Sequence, residues 1–273
     1  MIKLLRRYWL LPSFAAAMVL WAMSGSLERW FVYFPTKILR ARPSDARLDF
    51  EELTVQTEDG LQLNGWYVPH ESARWTFLAF HGNGGNIGDR VPWIELLHKV
   101  PANVVIFDYR GYGRSEGKPH EQGLYRDALA VHRWWAGQRE RIPGRLVLIG
   151  ESLGGAVATD LAARVPVDGI VLQSTFTSAW DMAKRMFPLG LLQPLARVHF
   201  STAQKLRNIS CPKLIIHGNR DDIVPFRLGE KLFAEAAPPK YFYRVEGASH
   251  NDLLWFAGAE YTRRIRQFLG TIQ

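Results

Sequence analysis

The chain has 273 residues, room for one or two domains, and a single α/β domain can fill that length. Apolar residues make up 47% and charged residues 22%, which excludes a disordered or fibrous protein and permits a large core. The one cysteine, Cys211, excludes an internal disulfide framework and a cysteine-rich zinc site. Lys and Arg number 34 against 26 Asp and Glu, a net charge of +8. Such a balance suits nucleic acid, an anionic membrane surface or solubility alone.

The first element is apolar. After Arg7 no charged residue occurs before Glu28, so residues 8–27 form an uncharged run. As a helix rising about 1.5 Å per residue it would reach roughly 30 Å, the depth of a bilayer core. Lys3, Arg6 and Arg7 precede it, which keeps the N-terminus cytoplasmic and sends the rest across, to a periplasmic or lumenal side. Residues 1–27 are therefore read as a membrane anchor. A cleaved signal peptide is one alternative, with small residues at Ala22-Met23-Ser24-Gly25-Ser26, and a buried helix of a soluble domain is the other. No cysteine directly follows the run, which excludes lipoprotein anchoring. Trp30-Phe31-Val32-Tyr33-Phe34-Pro35 comes next, suited both to a headgroup interface and to packing on the main domain. With three charges assigned to the N-terminus, the remaining excess is a mild +5, without a basic stripe or motif for nucleic acid.

From residue 50 the pattern becomes β-α alternation. Residues 52–56 alternate polar and apolar, Asp59-Gly60 signals a hairpin turn, and 61–68 forms its return strand. Short apolar runs at 75–80, 104–107, 146–149, 170–172 and 214–216 fit strands buried on both faces of a parallel sheet, and 241–245 reads as the last strand. Helical stretches are expected at 87–99, 121–136, 153–164 and 226–236. Residues 174–208, with Trp180, Met182, Met186, Phe187 and Pro188, read as a small helical cap insertion. This describes one α/β domain over 28–273, its twisted, mostly parallel sheet covered by helices on both faces.

Gly150-Glu151-Ser152-Leu153-Gly154 follows an apolar strand and opens a small-residue helix, the strand–turn–helix context that GxSxG requires. The nucleophile sits in a strained turn, and glycines two positions either side remove the clashes. The helix also aims its N-terminal dipole at the reacting centre. A serine hydroxyl needs a base, and the base needs an orienting carboxylate, in the chain order Ser, acid, His. After the strand at 214–216, both Asp221 and Asp222 lie in a loop on the same sheet edge as Ser152. His250 follows the last strand, on that edge again. Of the other histidines, His217 packs beside the acid loop and His199 lies in the insertion; His70, His98, His120 and His132 read as loop or helix-surface residues. The oxyanion donors expected are the backbone N–H groups of Leu153 and of Asn83, in the loop His81-Gly82-Asn83-Gly84-Gly85-Asn86.

These segments, with Asp108-Tyr109-Arg110-Gly111-Tyr112-Gly113-Arg114-Ser115, His217-Gly218-Asn219-Arg220-Asp221 and Ser249-His250-Asn251-Asp252, make the chain from about residue 30 onward resemble a serine hydrolase of the α/β-hydrolase superfamily. It is most similar to the membrane-anchored branch of protein depalmitoylases and lysophospholipid lipases, whose Tyr-Phe-Pro segment Tyr33-Phe34-Pro35 resembles. The resemblance selects Asp221 over Asp222 as the acid and gives Asp108–Ser115 a structural role. Glu151 falls at a variable position. The resemblance implies hydrolysis of acyl esters or thioesters without metal or organic cofactor, and the anchor, the nearby aromatics and the apolar insertion at 174–208 point to lipid-like substrates at a membrane. A peptidase on the same fold would use the same triad. A membrane scaffold that keeps the fold without the chemistry is the remaining rival.

Overall fold

The computed structural model describes residues 32–186 and 198–272. The anchor expected over 1–27 and the middle of the cap insertion lie outside the described residues. Among the described residues, no helix is long and apolar enough to cross a membrane.

The strands are β1 (Phe34–Pro35), β2 (Glu51–Gln56), β3 (Gln62–Val68), β4 (Trp75–Phe80), β5 (Gly84–Gly85), β6 (Ala102–Phe107), β7 (Arg145–Glu151), β8 (Gly169–Gln173), β9 (Lys213–Gly218) and β10 (Lys240–Val245). The α-helices are α1 (Val91–His98), α2 (Glu121–Ala136), α3 (Leu153–Ala162), α4 (Ala179–Met186), α5 (Thr202–Leu206), α6 (Phe226–Glu235) and α7 (Leu253–Leu269). Eight strands form one sheet in the order β2-β3-β6-β4-β7-β8-β9-β10. The hairpin β2–β3 is antiparallel, as is β3 against β6; every other pairing is parallel. β1 and β5 pair separately, Phe34 opposite Gly84.

Alternate residues of each central strand enter opposite cores, as a two-residue side-chain period requires. Leu146 and Leu148 pack with α2 and α3 on one face; Val147 and Ile149 pack with α1 and α7 on the other. Burying each such side chain contributes about 1.5–3 kcal/mol, which is why these runs carry no polar face.

Among the described residues, the strands and the four helical stretches expected at 87–99, 121–136, 153–164 and 226–236 are found, with two differences. The stretch 87–99 is divided: a 3₁₀ turn, Ile87–Arg90, is capped by Asn86 and Asp89, and α1 restarts at Val91 with a proline in its first turn. Helix α7 was not among the expected helices. Its buried face, Leu253, Ala257, Tyr261, Ile265 and Phe268, has helical spacing, but Gly258 breaks the backbone at φ 49°. Of the aromatic segment after the apolar run, Tyr33 packs on the main domain, buried in its core, and Phe34 is exposed. In the cap region α4 and α5 are described.

Candidate active site

The carboxyl ends of the parallel strands bring four loops to one edge. β7 ends at Glu151 and turns at Ser152 into α3. Ser152 has φ 52° and ψ −114°, a left-handed conformation rare for a residue with a side chain. Its surroundings hold it there. Its N–H donates to Gln173 O (2.9 Å), and its carbonyl accepts from Gly155 N (3.1 Å) and Thr175 Oγ1 (3.3 Å). The flanking glycines have the steric role expected. A Cβ on Gly150 would lie 2.6 Å from Gly154 O, and one on Gly154 would lie 2.0 Å from Phe80 O. Ser152 is nearly buried.

The loops after β9 and β10 are stitched together. Asn219 N donates to Val245 O (3.1 Å), Arg220 N to Ala248 O (2.9 Å), and Gly247 N to Asn219 Oδ1 (2.7 Å). Gly218 permits this approach, since a Cβ there would lie 2.4 Å from Ala248 O. The result places His250 against Asp221: Nδ1–H donates to Oδ2 at 2.8 Å. Asp221 Oδ1 accepts from the N–H groups of Ile223 (3.0 Å) and Val224 (2.7 Å). His217 adds a second imidazole. Its Nε2–H donates to Val224 O (2.9 Å) and stands 3.4 Å from Asp221 Oδ2. Burial works to raise the Asp221 pKa, but the hydrogen bonds from His217 and His250 outweigh it and hold the carboxyl well below its ordinary range. Asp221 is thus a carboxylate throughout neutral pH. Asp222, the other acid open to sequence reasoning, is exposed. No hydrogen bond joins Ser152 Oγ to His250 in this structure. Such contacts commonly tighten only with substrate bound.

Asn83 lies in the loop between β4 and the β5 glycines. What sequence reasoning missed is how this loop is held. Five consecutive carbonyls each accept a hydrogen bond: His81 O from Tyr109 OH (2.9 Å), Gly82 O from His81 Nδ1 (2.7 Å), Asn83 O from Tyr112 OH (2.9 Å), Gly84 O from Arg90 Nη2 (2.7 Å), and Gly85 O from Thr36 N (3.1 Å). Tying back the carbonyls of a glycine-rich segment removes the freedom its composition would otherwise allow. The Asp108–Ser115 segment supplies both tyrosines, which gives its expected structural role a mechanism. Behind the loop, His81 and Asp108 are fully buried, Nε2 3.5 Å from Oδ1. Burial, helped by the charge of Arg90, pushes His81 down to about 3; burial pushes Asp108 up to about 7. The imidazole is therefore neutral.

The opposite edge of the sheet has an open groove of about 780 Å³ lined by Tyr67, His70, His98 and Arg141, among others. Ser72 Oγ and His70 Nδ1 are 3.3 Å apart there, but the pair is exposed, and Ser72 occupies no strained elbow. Geometry, not volume, selects the Ser152 edge. No cluster suited to a metal ion occurs among the described residues.

A serine elbow between strand and helix on a parallel sheet, with an imidazole–carboxylate pair at the same edge, defines an α/β hydrolase. The chain belongs to the α/β hydrolase fold family, whose profile matches residues 76–203. An uncharacterized protein of Mycobacterium tuberculosis is 38% identical over 246 residues, covering 89% of this chain and 88% of that protein. The lysophosphatidylserine lipase ABHD12 of Danio rerio is 32% identical over 278 residues, covering 85% of this chain and 72% of that one. In fold, the esterase Pf2001 of Pyrococcus furiosus is similar at a TM-score of 0.73 and 22% identity, over 88% of this chain and 97% of that structure.

Proposed function

We propose that the protein is a membrane-anchored serine hydrolase that cleaves acyl esters or thioesters of lipid-like substrates. The observation that carries this reading is the strained Ser152 elbow sharing one sheet edge with the His250–Asp221 hydrogen bond. In the reaction, Ser152 Oγ attacks the acyl carbon while His250 Nε2 takes its proton. Asp221 keeps the Nδ1–H tautomer in place and stabilises the imidazolium. The N–H groups of Asn83 and Leu153 receive the oxyanion. Collapse expels the alcohol or thiol, protonated by His250. Water, deprotonated by His250, then attacks the acyl-enzyme and frees Ser152 and the acid.

Three things support the lipid and membrane part. The uncharged run 8–27 ends just before Tyr33-Phe34, and Phe34 pairs with the oxyanion loop. Exposed apolar side chains lie near the site residues in sequence: Phe34 in β1, Ile223 two residues past Asp221, and Trp255 and Phe256 in the first turn of α7, five and six residues past His250. Exposed aromatics of this kind favour a headgroup interface. The Danio rerio relative is named a lysophosphatidylserine lipase.

The test is labelling by a fluorophosphonate probe followed by a p-nitrophenyl ester panel of increasing chain length. Wild type should label and Ser152→Ala should not. An unlabelled, folded wild type overturns the enzyme reading, and a preference for acetyl over chains of eight or more carbons overturns the lipid reading. A reporter fused after Gln273 should be active outside the cytoplasm; activity only inside would reverse the topology.

A further inference from the structure

Glu151 stands directly before Ser152 and takes no part in the steps above, yet its side chain reaches across the oxyanion loop. A Cβ on Gly82 would lie 3.4 Å from the Glu151 carboxyl carbon. Glu151 Oε2 is 3.3 Å from Arg90 Nε, an ion pair without the alignment of a good hydrogen bond. The other arm of the same guanidinium, Nη2, donates to Gly84 O at 2.7 Å. Both side chains are about four-fifths buried, with 18% and 22% exposure.

This geometry joins two places that have to keep a fixed separation. One is the residue before Ser152, two positions from the Leu153 amide. The other is the residue after Asn83. We propose that Arg90 and Glu151 form a positioning pair that sets the Asn83 and Leu153 amides at the spacing an oxyanion requires. The proposal rests on the hydrolase reading above.

The residue types suit the task. Oxyanion donors act only within a few tenths of an ångström of their proper distance. Gly82, Gly84 and Gly85 give the loop little stiffness of its own. Among its five tied carbonyls, those of His81, Gly82, Asn83 and Gly85 are held by groups from the loop itself, the Asp108–Ser115 segment and Thr36. The Gly84 carbonyl is tied, through Arg90, to the nucleophile side of the site. A planar, forked guanidinium can hold a carbonyl with one nitrogen and a carboxylate with another, whereas a lysine ammonium lacks that fork. Partial burial shields the pair from salt.

The experiment compares wild type with Arg90→Ala, Glu151→Ala, the double variant, and the conservative Arg90→Lys and Glu151→Gln. Four readouts are taken: kcat and KM on a p-nitrophenyl ester, inhibition by a trifluoromethyl ketone, melting temperature, and amide hydrogen exchange over residues 82–86. Each alanine variant should lose ~10–100-fold in kcat with KM nearly unchanged, the scale of a misplaced but intact catalytic group. Ketone affinity should fall in parallel, and loop exchange should quicken while the melting temperature holds. The double variant should be no worse than the weaker single one. Arg90→Lys should stay impaired, and Glu151→Gln, which keeps an acceptor, should recover part of the loss. Unchanged loop exchange in the variants, or additive losses in the double one, overturns the pair while leaving a labelled, active hydrolase. A wild type that the fluorophosphonate does not label overturns the hydrolase reading and this role with it.

Discussion

A methyl group added to Gly154 would lie 2.0 Å from the carbonyl oxygen of Phe80. That contact locks α3, which begins just after Ser152, onto the last residue of β4, the strand that leads into the loop at 81–85. The two halves of the site are thus packed backbone to backbone, and the second glycine of GxSxG is a spacer between them. Gly154→Ala should cost about 1–3 kcal/mol of stability, the usual penalty of overpacking. Its remaining folded fraction should also lose kcat, because relief of the clash moves Leu153 away from the oxyanion loop. Urea unfolding alongside ester kinetics checks both. Stability and kcat matching wild type would show that the backbones have room to separate.

The acid assignment separates two neighbouring residues. Asp221→Asn keeps the shape but no longer holds the Nδ1–H tautomer of His250, so kcat should fall by about 10³–10⁴ with little change in KM. Asp222→Asn should leave kcat within about threefold, since exposed substitutions away from the chemistry have small effects. Steady-state ester hydrolysis by the two variants decides it, and equal losses would refute the assignment.

His81 and Asp108 make a pH prediction of opposite signs. His81 has a depressed folded-state pKa, so between about pH 3 and its unfolded value near 6.5 the unfolded chain binds the extra proton. Alone, it makes stability rise with pH across that window. Asp108 has a raised pKa, so between its unfolded value near 3.9 and about 7 the folded protein binds the extra proton. Alone, it makes stability fall with rising pH. In the wild type the two slopes oppose each other where their windows overlap. Asp108→Asn should unmask the His81 slope, up to about +1.4 kcal/mol per pH unit, and His81→Gln the opposite slope. Urea titrations at pH 5 and 6.5 measure the difference between the variants. Slopes of the same sign would contradict a proton carried by Asp108.

The Asp108–Ser115 segment is also held from below. Arg110 is buried and donates to Asp127 through both its backbone N–H (2.8 Å) and Nε (2.9 Å), and to Asp59 through Nη1 (2.8 Å). Asp127→Ala leaves the guanidinium without its fully buried partner and should cost about 3–5 kcal/mol. The midpoint of denaturant unfolding reports it. A cost below about 1 kcal/mol, the range of exposed pairs, would mean that Asp59 alone satisfies Arg110.

Much of this protein is legible in one dimension because its determinants are local. Strand runs such as 146–149 are apolar on every residue because both faces are covered, and their length separates them from helices. GxSxG is readable because its five residues stand between an apolar strand run and a small-residue helix, although the clash that Gly154 avoids is with Phe80, far away in sequence. His250 follows from chain order and from its place after a strand. Helix α7 had a readable apolar spacing but went unforeseen, its pattern interrupted by Gly258.

Other features depend on groups far apart in sequence. Nothing local says that Tyr109, Tyr112, Arg90 and Thr36 converge on successive carbonyls of residues 81–85, or that His217 adds a second imidazole to Asp221. Glu151 is a variable-looking residue until Arg90 comes beside it. The sequence by itself determined the sheet, the elbow and the residue types of the chemistry, since these follow from side-chain periodicity and local sterics. Only the tertiary structure decided which donors hold the carbonyls of residues 81–85 and brought the Asp221 carboxylate, the one the resemblance selected, to His250, because those contacts form between strand ends that the sheet brings together.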